Sequence, residues 1–270
     1  MRELGFQSKT SNTGPRVYHT TGFTPALLAE LCAVLNDAHP ETKQTNGRPP
    51  ALTREQEIRA TIIYKRRNRT EHELAETFAV SQSTISRAIT RWTPRIVEAL
   101  RGLVPTVEDL NPEQSLIVDG TLVPCWDWAS EEDLYSGKHH HTGLNLQVAC
   151  DLTGALAWVS DPTPGSTHDA KAIDISGLLD HFGDTPLIGD KGYIGKGMIT
   201  PDRKPLGQEL SEEQKNYNRS VNSIRSAVER TIAHLKTWRI LHTDYRRPFH
   251  TFTETISAVI ALEFFRLSFE

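Results

Sequence analysis

The side chains in this chain best suited to bond chemistry are Asp119 in SLIVDGTL, Asp190 in PLIGDKGY and Glu229 in SAVERTIAHLK. Asp119 follows an apolar, β-prone run and is expected on a strand. Asp190 follows Pro-Leu-Ile-Gly and opens a Gly-rich turn, so it is expected at the carboxyl end of a strand. Glu229 lies in a long segment of helical periodicity. Two strand-borne aspartates and one helix-borne glutamate can converge on a single point. Hard oxygen ligands of this kind suit Mg²⁺, with Mn²⁺ as the alternative. Two such ions, about 4 Å apart, are a common device for moving phosphodiester bonds. One activates and aims a water or a 3′-hydroxyl, and the other stabilises the departing oxyanion.

Other residues admit two readings. His168 and Asp169 follow Gly165-Ser166-Thr167. They could reach a phosphate or a metal, or Thr167 could cap a helix while Asp169 complements its dipole. His139-His140-His141, beside Lys138, is expected to form a loop touching DNA or solvent rather than a metal tract. Lys236 and Arg239 lie beyond Glu229 and either grip a DNA backbone or face solvent. Trp126, Trp128 and Trp158 are expected in the core.

The elements that must position these groups fall into two sets. Thr24-Pro25 opens a first helix, with Thr24 as N-cap. Residues 36–50 read as a linker. From 52 to 101 the chain reads as three or more helices. Thr70 with Glu73 forms a capping-box pattern. Ala79-Val80-Ser81 is a turn, and Ser81 or Ser83 can cap the next helix, whose Ile85, Ala88 and Ile89 point inward. This is a helix-turn-helix layout, and the second helix offers Gln82, Ser83, Thr84, Ser86, Arg87 and Arg91 to a DNA groove. Lys65, Arg66, Arg67 and Arg69 add a basic cluster suited to phosphates.

From 115 the pattern changes. SLIVDGTLVPCW reads as a strand, and HTGLNLQVACDLTGALAWVSDP as a hairpin turning at Leu152-Thr153-Gly154. A helix over 167–182, the short strand PLIGD and two more helices follow. That order predicts an α/β (α+β) ribonuclease-H-like core with a mixed sheet and flanking helices, preceded by an all-α helix-turn-helix domain. The expected boundaries are 1–50 for an arm, helix and linker, 51–104 for the helix-turn-helix and 105–270 for the catalytic core. Asp119 and Asp190 then sit on neighbouring strands, with Glu229 on a helix beside them.

The net charge of −4 hides a division along the chain. Residues 41–101 hold 12 Lys/Arg against 7 Asp/Glu, 102–192 hold 3 against 15, and 193–270 hold 12 against 9. Basic flanks suit a polyanion, and an acidic middle concentrates metal ions. No run is long enough to span a bilayer, and MRELGFQSKT has no signal-peptide core. The three cysteines, Cys32, Cys125 and Cys150, are far apart, so a zinc site or disulfide framework is not expected.

VDGT at 118–121, YSGKHHHTGLNLQV at 135–148, PGSTHDAKAI at 164–173, GDKGYIG at 189–195 and RSAVERTIAHLKTWRIL at 225–241 together resemble DDE-superfamily transposases of the insertion-sequence-five group and the related Harbinger-type nucleases. The resemblance covers roughly residues 50–265. It implies that Asp119, Asp190 and Glu229 are catalytic and bind two divalent metals. Asp119, central in the sheet, is then the expected bridging ligand, with Asp190 completing one site and Glu229 the other. Arg225, Glu229 and Lys236 match the family's helix motif, whereas the tyrosine position is Asn222 here.

The expectation is a transposase that binds terminal inverted repeats, cleaves double-stranded DNA with Mg²⁺ and joins the 3′-hydroxyls to target DNA. It would work as a homo-oligomer on DNA, in the cytoplasm at the nucleoid of a bacterial host, away from membranes. An endonuclease that does not join strands and an inactive DNA-binding derivative are the alternatives. A hydrolase of small substrates is disfavoured by the basic helix-turn-helix.

Overall fold

The structure is a computed structural model that describes residues 19–41, 49–126 and 131–270. Up to Leu100 its elements are helices, each started by the local chemistry of its first turn. Helix α1 (Pro25–Ala38) begins where the Thr24 side chain accepts from the Leu27 amide, with Pro25 at its start, as expected. Helix α2 (Arg54–Arg67) is held by reciprocal bonds between Thr53 and Gln56, and ends at Asn68 with φ 46°. Helix α3 (Glu71–Phe78) carries the expected Thr70–Glu73 box and ends at Ala79 with φ 54°. Helix α4 (Gln82–Leu100) starts after Ser81, whose hydroxyl meets those of Ser83 and Thr84 instead of capping an amide. Ile85, Ala88 and Ile89 are buried, as their spacing predicts.

The basic cluster before α3 divides. Lys65 is fully buried, so it offers nothing to a phosphate, and Arg66 lies over the Trp238 ring, 5.1 Å from its centroid. Arg67 and Arg69 are exposed.

Strand β1 (Ile117–Pro124) pairs antiparallel along its whole length with β3 (His141–Cys150). The other edge of β3 is covered in turn by β2 (Tyr135–Ser136), β5 (Thr163–Pro164) and β4 (Leu156–Val159). The β3–β4 hairpin turns where expected. Asp151 accepts from the Thr153 and Ala155 amides, and Gly154 takes φ 93°. PLIGD is not a full strand, but Ile188 bridges Ile117 in parallel, with Val118 N donating to Ile188 O at 2.8 Å. Asp190 is thereby brought beside β1, and the sheet is mixed, as in a ribonuclease-H-like core.

The helix expected over 167–182 is two helices, α5 (Asp169–Ile175) and α6 (Leu178–Phe182), broken at Gly177 with φ 73°. The capping position of α5 is His168 rather than Thr167, and its side chain makes no cap bond. Helix α7 (Glu212–Leu235) starts with a Ser211–Gln214 box. Helix α8 (Phe252–Leu267) is buried on nearly every side and packs against α4.

Successive residues of β1 point to opposite faces. Ile117 packs with Val221 and Val228 of α7, and Val118 packs with Ile173 of α5 and Tyr193. Asp119 therefore projects toward α7 and Gly120 toward α5. A third apolar cluster is continuous from Leu31 through Ile58, Ile89 and Trp238 to Phe265, across the segment borders at 50 and 104. Among the described residues no helix is long and apolar enough to cross a membrane.

Candidate active site

Asp119 and Arg225 form the centre of the α7 side. Arg225 Nη2 donates to Asp119 Oδ2 at 3.2 Å, and the two side chains are 12% and 16% exposed. The Gly120 amide donates to Asp119 Oδ1 at 2.9 Å. Burial pushes the Asp119 carboxyl up to about 6; Arg225 pulls it down, and Asp190 pushes it further up. Asp190 opens the turn Lys191–Tyr193 and accepts from the Gly192 amide at 2.6 Å.

Glu229 follows Arg225 by one helical turn and so shares its face of α7. It is exposed, and among the described residues no three His, Cys, Asp or Glu side chains are close enough together to hold a metal ion. The structure thus brings Asp119 and Asp190 together, places Arg225 on Asp119 and leaves Glu229 at the surface beside them.

The other face of β1 holds Asp169, which the sequence left between two readings. It is buried and paired with Lys138, whose Nζ lies 2.6 Å from Oδ2. Asn145 Nδ2 donates to Oδ1 at 3.1 Å, Gln147 Nε2 donates to Asn145 Oδ1 at 3.2 Å, and Tyr193 OH donates to Gln147 Oε1 at 2.5 Å. This close approach requires a glycine at 120, because a Cβ there would collide with Asp169 Oδ1. A Cβ on Gly192 would lie 2.7 Å from Asp190 Oδ1 and 3.5 Å from Asp169 Oδ2, so those two carboxylates border one small space. Burial pushes Asp169 up, but its bonds from Lys138 and Asn145 outweigh this and hold it below the usual aspartate value. Burial pulls Lys138 down, but the bond and charge of Asp169, followed by Asp190 and Asp119, leave its ammonium above the usual lysine value. Lys138, Asn145, Gln147 and Tyr193 were missed as site residues. The signal for Asn145 and Gln147 was the alternation in GLNLQV, which puts two amides on one face of an otherwise apolar strand.

His168 is exposed. Lys236 donates to Leu122 O at 3.1 Å and ties α7 to β1, and burial lowers its pKa. His139 and His140 lie in the turn before β3, and His141 Nε2 is 2.7 Å from Asp244 Oδ1.

The donor set fits a divalent cation. Asp119 and Asp190 are hard oxygen donors on adjacent backbone segments; at Asp119 the pull of Arg225 exceeds the push of Asp190, and burial is what raises the carboxyl. Arg225 Nε is buried and has no hydrogen-bond partner among the described residues.

On α4, Ser83 and Arg87 are exposed, while Thr84 and Ser86 are half-buried. Gln82 is bonded to Glu71. Arg91 is held by Glu57 at 2.7 and 2.8 Å, and the same carboxylate accepts from the Trp92 indole at 2.8 Å.

Residues 118–263 match the family model for the DDE superfamily endonuclease, and residues 50–102 match that for the helix-turn-helix of DDE superfamily endonucleases. The chain is 33% identical to a Streptomyces albus G protein named as a transposase for insertion sequence element IS112, over 82% of this chain and 83% of that one. It is 28% identical to a Microchaete diplosiphon protein named as a transposase for insertion sequence element IS702, over 77% and 79%. It is 25% identical to the Mus musculus protein named as nuclease HARBI1, over 68% of this chain and 58% of that one. No solved structure gives a significant match. The helix-turn-helix, the sheet that sets Asp119 beside Asp190 and these matches agree: the chain belongs to the DDE superfamily endonucleases.

Proposed function

We propose that this chain is a DNA transposase. It binds the terminal inverted repeats of its element through α3 and α4, hydrolyses DNA strands at those ends and joins the freed 3′-hydroxyls to target DNA. The observation that carries this reading is the largely buried Asp119 beside Asp190, with the Arg225 guanidinium bonded to Asp119. A largely buried carboxylate beside a second one costs free energy unless a cation neutralises it, and a phosphate cannot approach until then. DDE superfamily endonucleases normally use divalent metal ions.

Here Asp119, Asp190 and Glu229 would hold two Mg²⁺ ions, with Mn²⁺ as a substitute, once Glu229 turns inward by a rotamer change. Bound there, the ions supply the charge that activates an attacking oxygen and stabilises the leaving one. The protein's own groups do the rest. Arg225 orients Asp119 through its Nη2 bond. Lys138, fixed by Asp169 and the Asn145–Gln147–Tyr193 relay, presents a preorganised ammonium near both aspartates. Ser83 and Arg87 face the DNA groove, and Arg91 is positioned by Glu57 against the backbone. Two ends must be held at once, so the working form is a homo-oligomer on DNA, in the cytoplasm at the nucleoid.

The test is cleavage of supercoiled DNA carrying the gene's own flanking sequence, with Mg²⁺ or EDTA. Wild type is compared with Asp190→Asn and Glu229→Gln. Nicking at a flanking site that falls at least about a hundredfold in both variants and in EDTA is expected. Cutting that survives Asp190→Asn would overturn the active site. Cutting without joined product would reduce the function to an endonuclease.

A further inference from the structure

A hollow of about 380 Å³ lies where the helix-turn-helix meets the catalytic sheet. It is lined by Arg67 and Asn68 at the end of α2, by Trp126 just past β1, and by Arg239, Asp244 and Arg246 after α7. Trp126 was expected in the core, as Trp158 is, yet 51% of its surface is exposed. Its backbone is fixed all the same. Trp126 N donates to Tyr245 O at 3.2 Å, and Tyr245 N donates to Pro124 O at 3.0 Å. Tyr245 itself is fully buried and stacked on Phe252 at 4.3 Å.

The cations around this indole are also placed. Arg246 Nη2 donates to Asn68 O at 2.6 Å, and Asn68 Nδ2 donates to Thr243 Oγ1 at 2.7 Å. These bonds lock the two halves of the hollow together. Arg67 and Arg239 are exposed, and neither forms an ion pair with a carboxylate among the described residues. The acid in the lining, Asp244, is turned to His141. The result is an exposed aromatic face on a fixed backbone, rimmed by three guanidinium groups, none of them ion-paired with a carboxylate among the described residues. Such a surface is complementary to a nucleobase, which has a π-face, joined to a phosphate, which takes guanidinium forks.

We infer that this hollow is a subsite for one unpaired nucleotide of a DNA strand, with the base stacked on Trp126 and its phosphates held by Arg67 and Arg239. The inference rests on the chain acting on DNA, and it adds that one base leaves the duplex. Trp126 is seven residues from Asp119 along the chain, at most about 25 Å away. An unpaired base there would anchor the strand between the helix-turn-helix and the carboxylates. A duplex alone cannot fill the site, because stacking on the indole requires an exposed base face.

The test uses the full chain in EDTA, so that it reads binding and is independent of cleavage. Fluorescein-labelled short oligothymidylate and a blunt duplex are titrated into wild type, Trp126→Ala, Trp126→Phe and Arg239→Ala. Thermal melting checks that each variant is folded. Trp126→Ala should weaken oligothymidylate roughly five- to a hundredfold and Trp126→Phe much less. Arg239→Ala should lower the salt slope of single-strand binding by about 0.7. With 5-iodouracil in the oligonucleotide, irradiation should cross-link the base to Trp126. Equal single-strand affinity in wild type and Trp126→Ala would overturn the subsite. So would an effect of Arg239→Ala alone, because a bare phosphate patch has no use for the indole. Absence of metal-dependent cutting by wild type, or cutting that survives Asp190→Asn, with these binding results intact would overturn the nuclease reading and leave the subsite standing.

Discussion

Asp119 carries a free-energy cost whose sign can be worked out. Its carboxyl is held at about 6 by burial, above the ordinary aspartate value of about 3.8, so the folded state binds its proton more tightly than the unfolded state does. The cost is absent below about 3.8 and fully present above about 6, where it amounts to roughly 3 kcal/mol. Asp119→Asn removes the charge and keeps an acceptor for Arg225. Its stability relative to wild type, from urea unfolding, should therefore improve as pH rises from 4 to 7, by about 2–3 kcal/mol across that range. A difference that stays flat with pH would show that Asp119 is not desolvated as described. Its companion Asp190 was legible too, because both acids follow short apolar runs, although the second run pairs with β1 through a single bridge at Ile188 and is not a full strand. Asp169 was not, because nothing local in THDAKA says that its helix will be pressed against Gly120. Glu229 was legible as a helix residue, but the helix pattern fixes only which face it shares with Arg225, not the rotamer that would turn it toward the aspartates.

At the scale of elements, the helix starts could be read because capping is local: Thr24 and Thr70 need only the next three residues. Lys65 was misread by treating Lys65, Arg66, Arg67 and Arg69 as one patch. On a helix, Lys65 shares a face with Ile58, Thr61 and Ile62, all fully buried, and goes inside with them. Its Nζ has no hydrogen-bond partner among the described residues, and burial, then the charge of Arg247, lowers its pKa to about 7 against a raising effect from Glu254. The unfolded chain binds this proton up to about 10.5 and the folded chain only up to about 7, so stability rises with pH between those values. The cost of the buried ammonium is full below 7 and gone above 10.5, and its size is of order several kcal/mol. Lys65→Met, which keeps the length and removes the charge, should raise the unfolding midpoint most at pH 6 and much less at pH 9.5. Urea titrations at the two pH values decide this; an equal gain at both would mean that the amine is solvated and keeps the ordinary lysine pKa. The break at Gly177 was invisible for a related reason. Apolar spacing continues through it, and only the φ of 73° shows that the chain turns.

At the scale of the whole molecule, the division of charge sets how DNA can be held. The helix-turn-helix segment and the C-terminal third are basic, whereas 102–192 holds 15 Asp/Glu against 3 Lys/Arg. A strand drawn from α4 toward the sheet must pass from attraction into repulsion. Asp119 and Asp190 are central to that repulsion, because Arg225 neutralises only one of them and Lys138 is already paired with Asp169. Removing both carboxylate charges should thus improve DNA binding while abolishing cleavage, the reverse of what loss of an ordinary binding residue does. In EDTA, the double variant Asp119→Asn, Asp190→Asn should bind a duplex with flanking sequence about five- to tenfold more tightly than wild type, equal to roughly 1–1.4 kcal/mol. Ca²⁺, which occupies oxygen sites, should close that gap by strengthening wild type and leaving the variant unchanged. Fluorescence anisotropy at fixed ionic strength measures both effects. If EDTA and Ca²⁺ affinities are the same for the two proteins, DNA does not pass over these carboxylates. If the variant binds more weakly, the aspartates hold the fold or the DNA directly, and the division of charge has no part in drawing metal and phosphate to one place.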